Sequence, residues 1–473
     1  MTFSSVEYLI FFPTVFMLYW MLGRTKTIQN MLIVAASLVF YGWWDWRFLG
    51  LLLVTVLTTF YGGAFIQKAD GNRKRQKWIS AAVIVLNLGI LFFFKYYNFF
   101  IQSFIDVFSL FGKELSGSTL KIILPVGISF YTFTALSYTI DVYQRRAEAT
   151  KDLLAYCAYT MFFPSILSGP ISRATKQLPQ YFQKREFCYD KAVEACKFIL
   201  MGAVMKLCLA DRLGIYVDTV YANIPQHNGT TLMFASVLYT IQIYADFAGY
   251  SMMAVGSGKL LGIELQTNFI RPYFSKTVTE FWRRWHISLT TWFRDYIYFP
   301  LGGNRVSKAR WMLNTMIVFT VSGLWHGAAY TFLIWGALHG ACMIAERLLY
   351  GKRIKEISDR LTFPNILRML LTFCIVSFAW IFFRAETIGD ATSIISRIFL
   401  SHGSLFIDVN TLSMAFLAFV IVFMYDFTQE YGVRLKLLNS RFTVVRYATA
   451  AFLICYIIGF GVLNGGSFIY FQF

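Results

Sequence analysis

Long apolar runs broken by short polar stretches recur along the whole chain. Runs long enough to cross a bilayer, or nearly so, lie near 8–22, 30–44, 46–66, 79–100, 120–143, 152–170, 231–250, 311–346, 363–383, 411–425 and 447–463. They predict an all-α, polytopic membrane protein with about ten or eleven transmembrane helices. No repeat unit and no Gly/Ser- or Pro-rich linker interrupts the pattern, so 1–473 reads as a single membrane domain.

Two stretches do not fit simple spans. Residues 191–213, KAVEACKFILMGAVMKLCLADRL, carry charges at intervals and predict a helix lying partly in the membrane interface. Residues 277–299, TVTEFWRRWHISLTTWFRDYIYF, open with Thr277 and Glu280 at capping-box spacing. Trp282, Trp285, Leu289, Trp292, Tyr296 and Phe299 then follow at alternating three- and four-residue intervals, as one aromatic stripe. Arg283, Arg284, Arg294 and Asp295 occupy other faces, too many charges for a lipid-facing span. The segment predicts an interfacial or re-entrant helix, tolerated at depth only where protein or a water-filled cavity shields it.

Composition settles the solvent. Hydrophobic residues are 57% and charged residues 14% of the chain, with a mean hydropathy of +0.55, too apolar for an ordinary soluble domain. The formal charge of +18 then reads as cytoplasmic loops rich in Lys and Arg, and a nucleic-acid partner is not expected. Residues 68–77 hold five basic side chains against Asp70, which favours the cytoplasm. Basic residues dominate again at 347–360 and 426–446, while acidic ones lead at 384–410. This in, out, in alternation carries the C-terminus to the outer face. The first apolar run lacks the basic n-region of a cleavable signal and is expected to stay as a span. The seven cysteines show no C-x-x-C spacing, and neither a disulfide frame nor a zinc site is indicated.

Chemistry narrows to a few buried ionisable groups. Of the five histidines, His286 lies in FWRRWHISL and His326 in VSGLWHGAAYTF. Hydrocarbon penalises an ionisable side chain unless it has a partner or a cavity, which makes both functional candidates. Two bland readings stay open. Gly323 and Gly327, with Ser322, Ala328 and Ala329, suit a packing helix around His326, and His286 suits an interfacial aromatic belt. His339 reads as a packing or hydrogen-bonding residue, and His227 and His402 sit in polar loops. A desolvated imidazole stays neutral and can accept a proton from a hydroxyl, so general-base catalysis of acyl transfer is natural. No H-E-x-x-H spacing supports a metal site. Asp246, in IQIYADFAGYS, is expected to pair with an arginine of the 283–294 set and to orient that helix.

FWRRWHISLTTWFRDYIYFPLGGNR followed by SGLWHGAAYTFLIWGALHG closely resembles the membrane-bound O-acyltransferases, in particular the bacterial branch that O-acetylates alginate or peptidoglycan. ILPVGISFYTFTALSYTIDVYQ, LSGPISRATKQLPQ and YADFAGYSMMAVG resemble further blocks of that branch, with the core motifs at 120–350. The resemblance implies a ring of helices with a thinned centre, where His326 is the base or activator and His286 assists. It implies a cytoplasmic acyl-thioester donor, acetyl-coenzyme A, whose phosphates Arg283, Arg284 and Arg294 could bind, although interfacial anchoring explains those arginines equally. Trp285, Asp295, Trp325 and Asp246 would support the centre. Met252 stands where the family commonly has an acidic residue. The tail at 465–473, GGSFIYFQF, resembles a C-terminal motif whose tyrosine, here Tyr470, carries the acyl group in transit; anchoring of the last helix is the plainer reading. A bacterial inner-membrane location, a polysaccharide acceptor and a serine-type extracytoplasmic acetyltransferase partner are implied as well. D-alanyl transfer to teichoic acid is the near alternative; a transporter or flippase and a structural scaffold are the distant ones.

Overall fold

The computed structural model describes residues 1–111, 119–351, 360–433, 437–463 and 468–469. Every regular element among these residues is helical. They form two compact units, one made of 1–193 with 257–266 and the other of 194–256 with 267–473.

The first unit contains α1 (Val6–Leu22), α2 (Lys26–Gly42), α3 (Leu49–Lys68), α4 (Arg73–Leu110), α5 (Ile128–Tyr143) and α6 (Leu153–Thr160). One polar cluster of its interior is built around a buried guanidinium. Arg185 donates to Tyr19 Oη at 2.8 Å and to Asn30 Oδ1 at 2.9 Å, while the Gln29 amide pairs with the Arg185 backbone.

The second unit carries α7 (Tyr189–Ala203) from Glu194 onward, which leads into a π-helical stretch at Val204–Ala210, and then α8 (Asp211–Tyr221) and α9 (Gly229–Leu260) as far as Gly256. Two short helices follow, α10 (Val278–Arg284) and α11 (Ile287–Phe293). The remainder are α12 (Lys308–His326), α13 (Tyr330–Tyr350), α14 (Phe363–Arg384), α15 (Ile388–Leu400), α16 (Val409–Glu430) and α17 (Thr443–Phe460).

Seven helices among the described residues are long and apolar enough to cross a membrane: α3 with the turn before it, α4, α9, α13, α14, α16 and α17. Ten or eleven spans were expected, and the difference has a physical cause. Several apolar runs fold as helices too short to qualify, α1 with 17 residues and α5 with 16. The run at 120–143 is helical only from Ile128, and nearly every residue of α5 is buried in protein. The run at 152–170 splits into α6 and a one-turn helix at Phe163–Ile166 with Pro164 in its first turn.

The run at 311–346 folds as a hairpin, α12 then α13, with the chain extended at Gly327. Glycine lets the two helices touch. A Cβ on Gly323 would lie 2.2 Å from the Phe332 carbonyl oxygen, and one on Gly336 would lie 2.2 Å from that of Phe319. The α7–π stretch meets α9 in the same way, because a Cβ on Gly202 would lie 2.6 Å from the Gly249 carbonyl oxygen. Within the 191–213 stretch the two halves differ: α7 keeps Lys191, Glu194 and Cys196 exposed, whereas the π-helical half turns inward. Every residue of Val204–Ala210 is buried, Lys206 included.

Candidate active site

The 277–299 segment was expected to be one helix, and it is two. Thr277 caps α10 as predicted, its hydroxyl accepting from Glu280 N at 3.0 Å, while the Glu280 carboxylate turns back to Lys276 N at 2.8 Å. The Glu346 carboxylate accepts from Val278 N and Thr279 N at 2.8 and 2.9 Å, placing a negative charge on the positive end of the helix.

α10 stops at Trp285, and His286 takes left-handed backbone angles, φ 40° and ψ 55°, before α11 begins. Asn268 holds this kink from outside. Its carbonyl accepts Ile287 N at 2.9 Å, its side-chain oxygen accepts Ser288 N at 3.2 Å, and Ile270 N donates to the Arg284 carbonyl at 3.0 Å. The aromatic stripe therefore faces protein. Trp282, Trp285, Leu289 and Trp292 are buried, and only its far end, Phe299, is exposed.

The kink puts His286 into the interior at 0% exposure, edge-on to Phe247 of α9 with ring centroids 4.7 Å apart. His326, the last residue of α12, is 3% exposed and packs against Trp335 at 5.1 Å and Phe383 at 5.3 Å. The two imidazole centroids are 6.4 Å apart, with the Trp325 ring 6.0 Å from His286 and 5.0 Å from His326. At this spacing the rings are too far apart to bond one another directly, and a reacting group between them can meet both. Burial pushes the His286 imidazole well below the ordinary histidine range, which keeps it neutral and able to accept a proton.

His339 has the bland role expected of it. Its Nδ1 accepts the Trp282 indole N–H at 3.3 Å, and its ring is stacked with Phe281. Trp285 is wedged between Phe281 and Trp380, at 5.3 and 5.1 Å, which fixes the residue preceding His286.

Comparison with known proteins gives the family of the chain. The sequence model of MBOAT, the membrane-bound O-acyltransferase family, matches residues 38–385 and so takes in both histidines. The chain belongs to the membrane-bound O-acyltransferase family. The protein named "Probable alginate O-acetylase" of Pseudomonas aeruginosa is 40% identical over 395 residues, covering 83% of this chain and 73% of that one. The peptidoglycan O-acetyltransferase of Helicobacter pylori is 31% identical over 414 residues, 81% of this chain and 77% of that one. The teichoic acid D-alanyltransferase of Bacillus subtilis is 31% identical over 281 residues, 55% of this chain and 69% of that one.

The other predicted residues of the acyltransferase are spread more widely. Arg283 and Arg294 are exposed, and Arg294 pairs with its neighbour Asp295 at 2.8 Å. Arg284 is held by two carboxylates, Glu280 at 2.6 Å and Glu430 at 2.8 Å, and Glu430 also takes Arg271 at 2.7 Å. The expected pairing of Asp246 with one of these arginines does not occur. Asp246 sits 2.6 Å from Lys206 instead, because the π stretch turns that lysine toward α9 while carboxylates nearer the kink engage Arg284. Asp246 also accepts the Ile469 backbone N–H at 2.9 Å. Phe468 and Ile469 are buried, and the Phe468 ring stacks on Tyr250 at 4.5 Å and lies 5.7 Å from Phe247. Tyr470 lies outside the described residues. Met252, on α9 beyond Asp246, is half-buried.

Lys206, Asn268 and Glu346 were missed by sequence reasoning. Lys206 carried a usable signal, a lone cation in the apolar run MGAVMKLCLA, the same criterion that picked out the histidines. Asn268 and Glu346 act through backbone groups remote in sequence and carried none.

Proposed function

We propose that this acyltransferase takes an acetyl group from a cytoplasmic thioester, acetyl-coenzyme A, and passes it through the His286–His326 centre to Tyr470 on the outer side. The ester then supplies O-acetylation of a cell-surface polysaccharide of the alginate or peptidoglycan type, completed by a separate extracytoplasmic serine-type transferase. One observation carries the reading: two buried imidazoles lie 6.4 Å apart, and Phe247, which packs edge-on against His286, also packs against Phe468, two residues before Tyr470.

In this reading His326 removes the phenolic proton as the tyrosine oxygen attacks the thioester carbonyl. The C–S bond breaks, the thiol leaves with a proton, and an aryl ester forms. His286 polarises the carbonyl from the other side. Arg283 and Arg294 remain the exposed candidates for the donor phosphates, and Arg284 serves as structure through its two carboxylates.

Mass spectrometry of the C-terminal peptide from protein incubated with acetyl-coenzyme A is the test. His326→Ala and Tyr470→Phe are expected to lose surface acetylation while inserting normally. Full acetylation in His326→Ala would remove the mechanism, and a D-alanyl group on the peptide would move the assignment to the teichoic-acid class.

A further inference from the structure

The buried cation Lys206 has no part in the chemistry above. Its ammonium lies 2.6 Å from Asp246 and 2.8 Å from Asp211, and all three side chains are under a tenth exposed. Burying such a group is expensive, and apolar residues of similar volume commonly stabilise a fold as well or better. Packing alone therefore does not account for it. What the cluster does hold is the end of the chain.

Two separate stretches of the C-terminal segment dock on this region. A π turn misaligns its carbonyls, and that of Leu207 accepts Val462 N at 3.1 Å. Arg212, one turn on, donates from Nε to the Phe460 carbonyl at 2.9 Å. Asp246 divides its carboxylate: Oδ1 faces Lys206, and Oδ2 takes the Ile469 N–H. The Lys206 ammonium lies 5.9 Å from the centre of the Phe468 ring, whose other neighbours are Tyr250 and Phe247.

We infer that Lys206 is a positioning residue for the C-terminal segment: by holding Asp246, it sets the register in which the Ile469 backbone docks beside Phe247 and, through that ring, beside His286. A backbone N–H reads no side chain, so what the carboxylate fixes is register rather than composition. The glycines at 202 and 249 make this possible, since a Cβ on Gly249 would lie 2.9 Å from the Lys206 backbone nitrogen and push the π turn away. The effect on acyl transfer rests on the reading that Tyr470 carries the acyl group; the docking itself does not.

The experiment uses full-length protein in detergent with Ile469→Cys, following maleimide labelling of the C-terminal peptide by mass spectrometry. Cys208, fully buried beside Lys206, reports whether the region stays folded. With the background change alone, the thiol at 469 is expected to label slowly. Adding Lys206→Met or Asp246→Ala is expected to raise the rate about tenfold or more with Cys208 still protected, and the combined change is expected to be no worse than Asp246→Ala. Unchanged labelling in Lys206→Met overturns the inference, and so do effects that multiply, because Lys206 would then not act through Asp246.

Should Lys206→Met expose Cys208, Asp246→Asn carries the test. It keeps an acceptor oxygen for Ile469 and removes the ion pair, so faster labelling supports the role and an unchanged rate overturns it. Acetylation of the C-terminal peptide is read in parallel in protein with Ile469 intact. Loss in Lys206→Met supports positioning, and full acetylation overturns it. A wild-type tail that never carries acetyl sinks the relay reading alone and leaves the docking result standing.

Discussion

Gly323→Ala tests whether the α12–α13 hairpin sets the position of His326. The new Cβ would lie 2.2 Å from the Phe332 carbonyl oxygen, and side-chain carbons essentially never approach closer than 3.0 Å, so the helices must separate locally by at least about 0.8 Å. That atom is backbone and cannot swing away. Overpacking of this kind costs about 1–3 kcal/mol, which a membrane protein of this size survives folded. His326 is three residues further along the same helix, and it meets Trp335 from the helix that is pushed back. A misplacement near 1 Å in a reacting group costs roughly a hundredfold in rate. Gly323→Ala is therefore expected to keep its fold, lower its melting temperature by a few degrees, and cut acetyl transfer in membranes about a hundredfold, mostly in kcat. Gly336→Ala, which meets the Phe319 carbonyl oxygen at the same 2.2 Å, should match it. Gly340→Ala is the internal control, because its Cβ would meet the movable Met316 sulfur at 3.0 Å. Wild-type turnover in both Gly323→Ala and Gly336→Ala would refute the claim that close backbone contact places the histidine.

Two further substitutions probe how the kinked segment is held. Trp282→Phe removes the indole N–H bonded to His339 Nδ1 while keeping an aromatic body, so a stability loss of about 1 kcal/mol with only a small drop in transfer is expected. A loss of activity as large as that of His326→Ala would instead make His339 part of the chemistry. Asn268→Ala deletes the side-chain oxygen that takes Ser288 N; capping losses of this type run to about 1 kcal/mol, but here the released turn carries His286, so transfer is expected to fall by at least tenfold. Equal small losses in stability and rate would show that the kink holds without it.

The class of the protein was legible in the apolar pattern, and the two histidines were legible as ionisable groups set in apolar or aromatic runs. The span count was not, since the apolar run at 120–143 is helical only from Ile128 and yields a helix of 16 residues. Periodicity also suggested a single helix from 277 to 299, and locally it was right: the stripe residues before and after the break all turn toward the interior, except at the exposed end. What it could not show is that Asn268, eighteen residues before His286, takes two amides of the second helix and permits the left-handed turn between them. The partner of Asp246 was misread for a similar reason. Helical spacing places Lys206 on its own helix but says nothing of the π turn that aims it across to α9.

The break at His286 also explains why the centre sits inside protein rather than on a lipid-facing span. A helix that stops and restarts leaves amides and carbonyls that hydrocarbon cannot satisfy, so such backbone survives only where other protein groups meet it. Here they do so pairwise: Ile287 N and Ser288 N go to Asn268, the Arg284 carbonyl takes Ile270 N, and the first amides of α10 go to Glu346 of α13. The groups that satisfy the break come from the 267–271 segment, while α13 caps the start of the broken segment through Glu346, and α13 is also the arm of the hairpin that packs against His326. Satisfying the backbone and bringing the imidazoles together are thus one structural problem with one solution. It follows that Glu346 and Gly336, neither of which carries chemistry, constrain the His286–His326 separation from two points on a single helix.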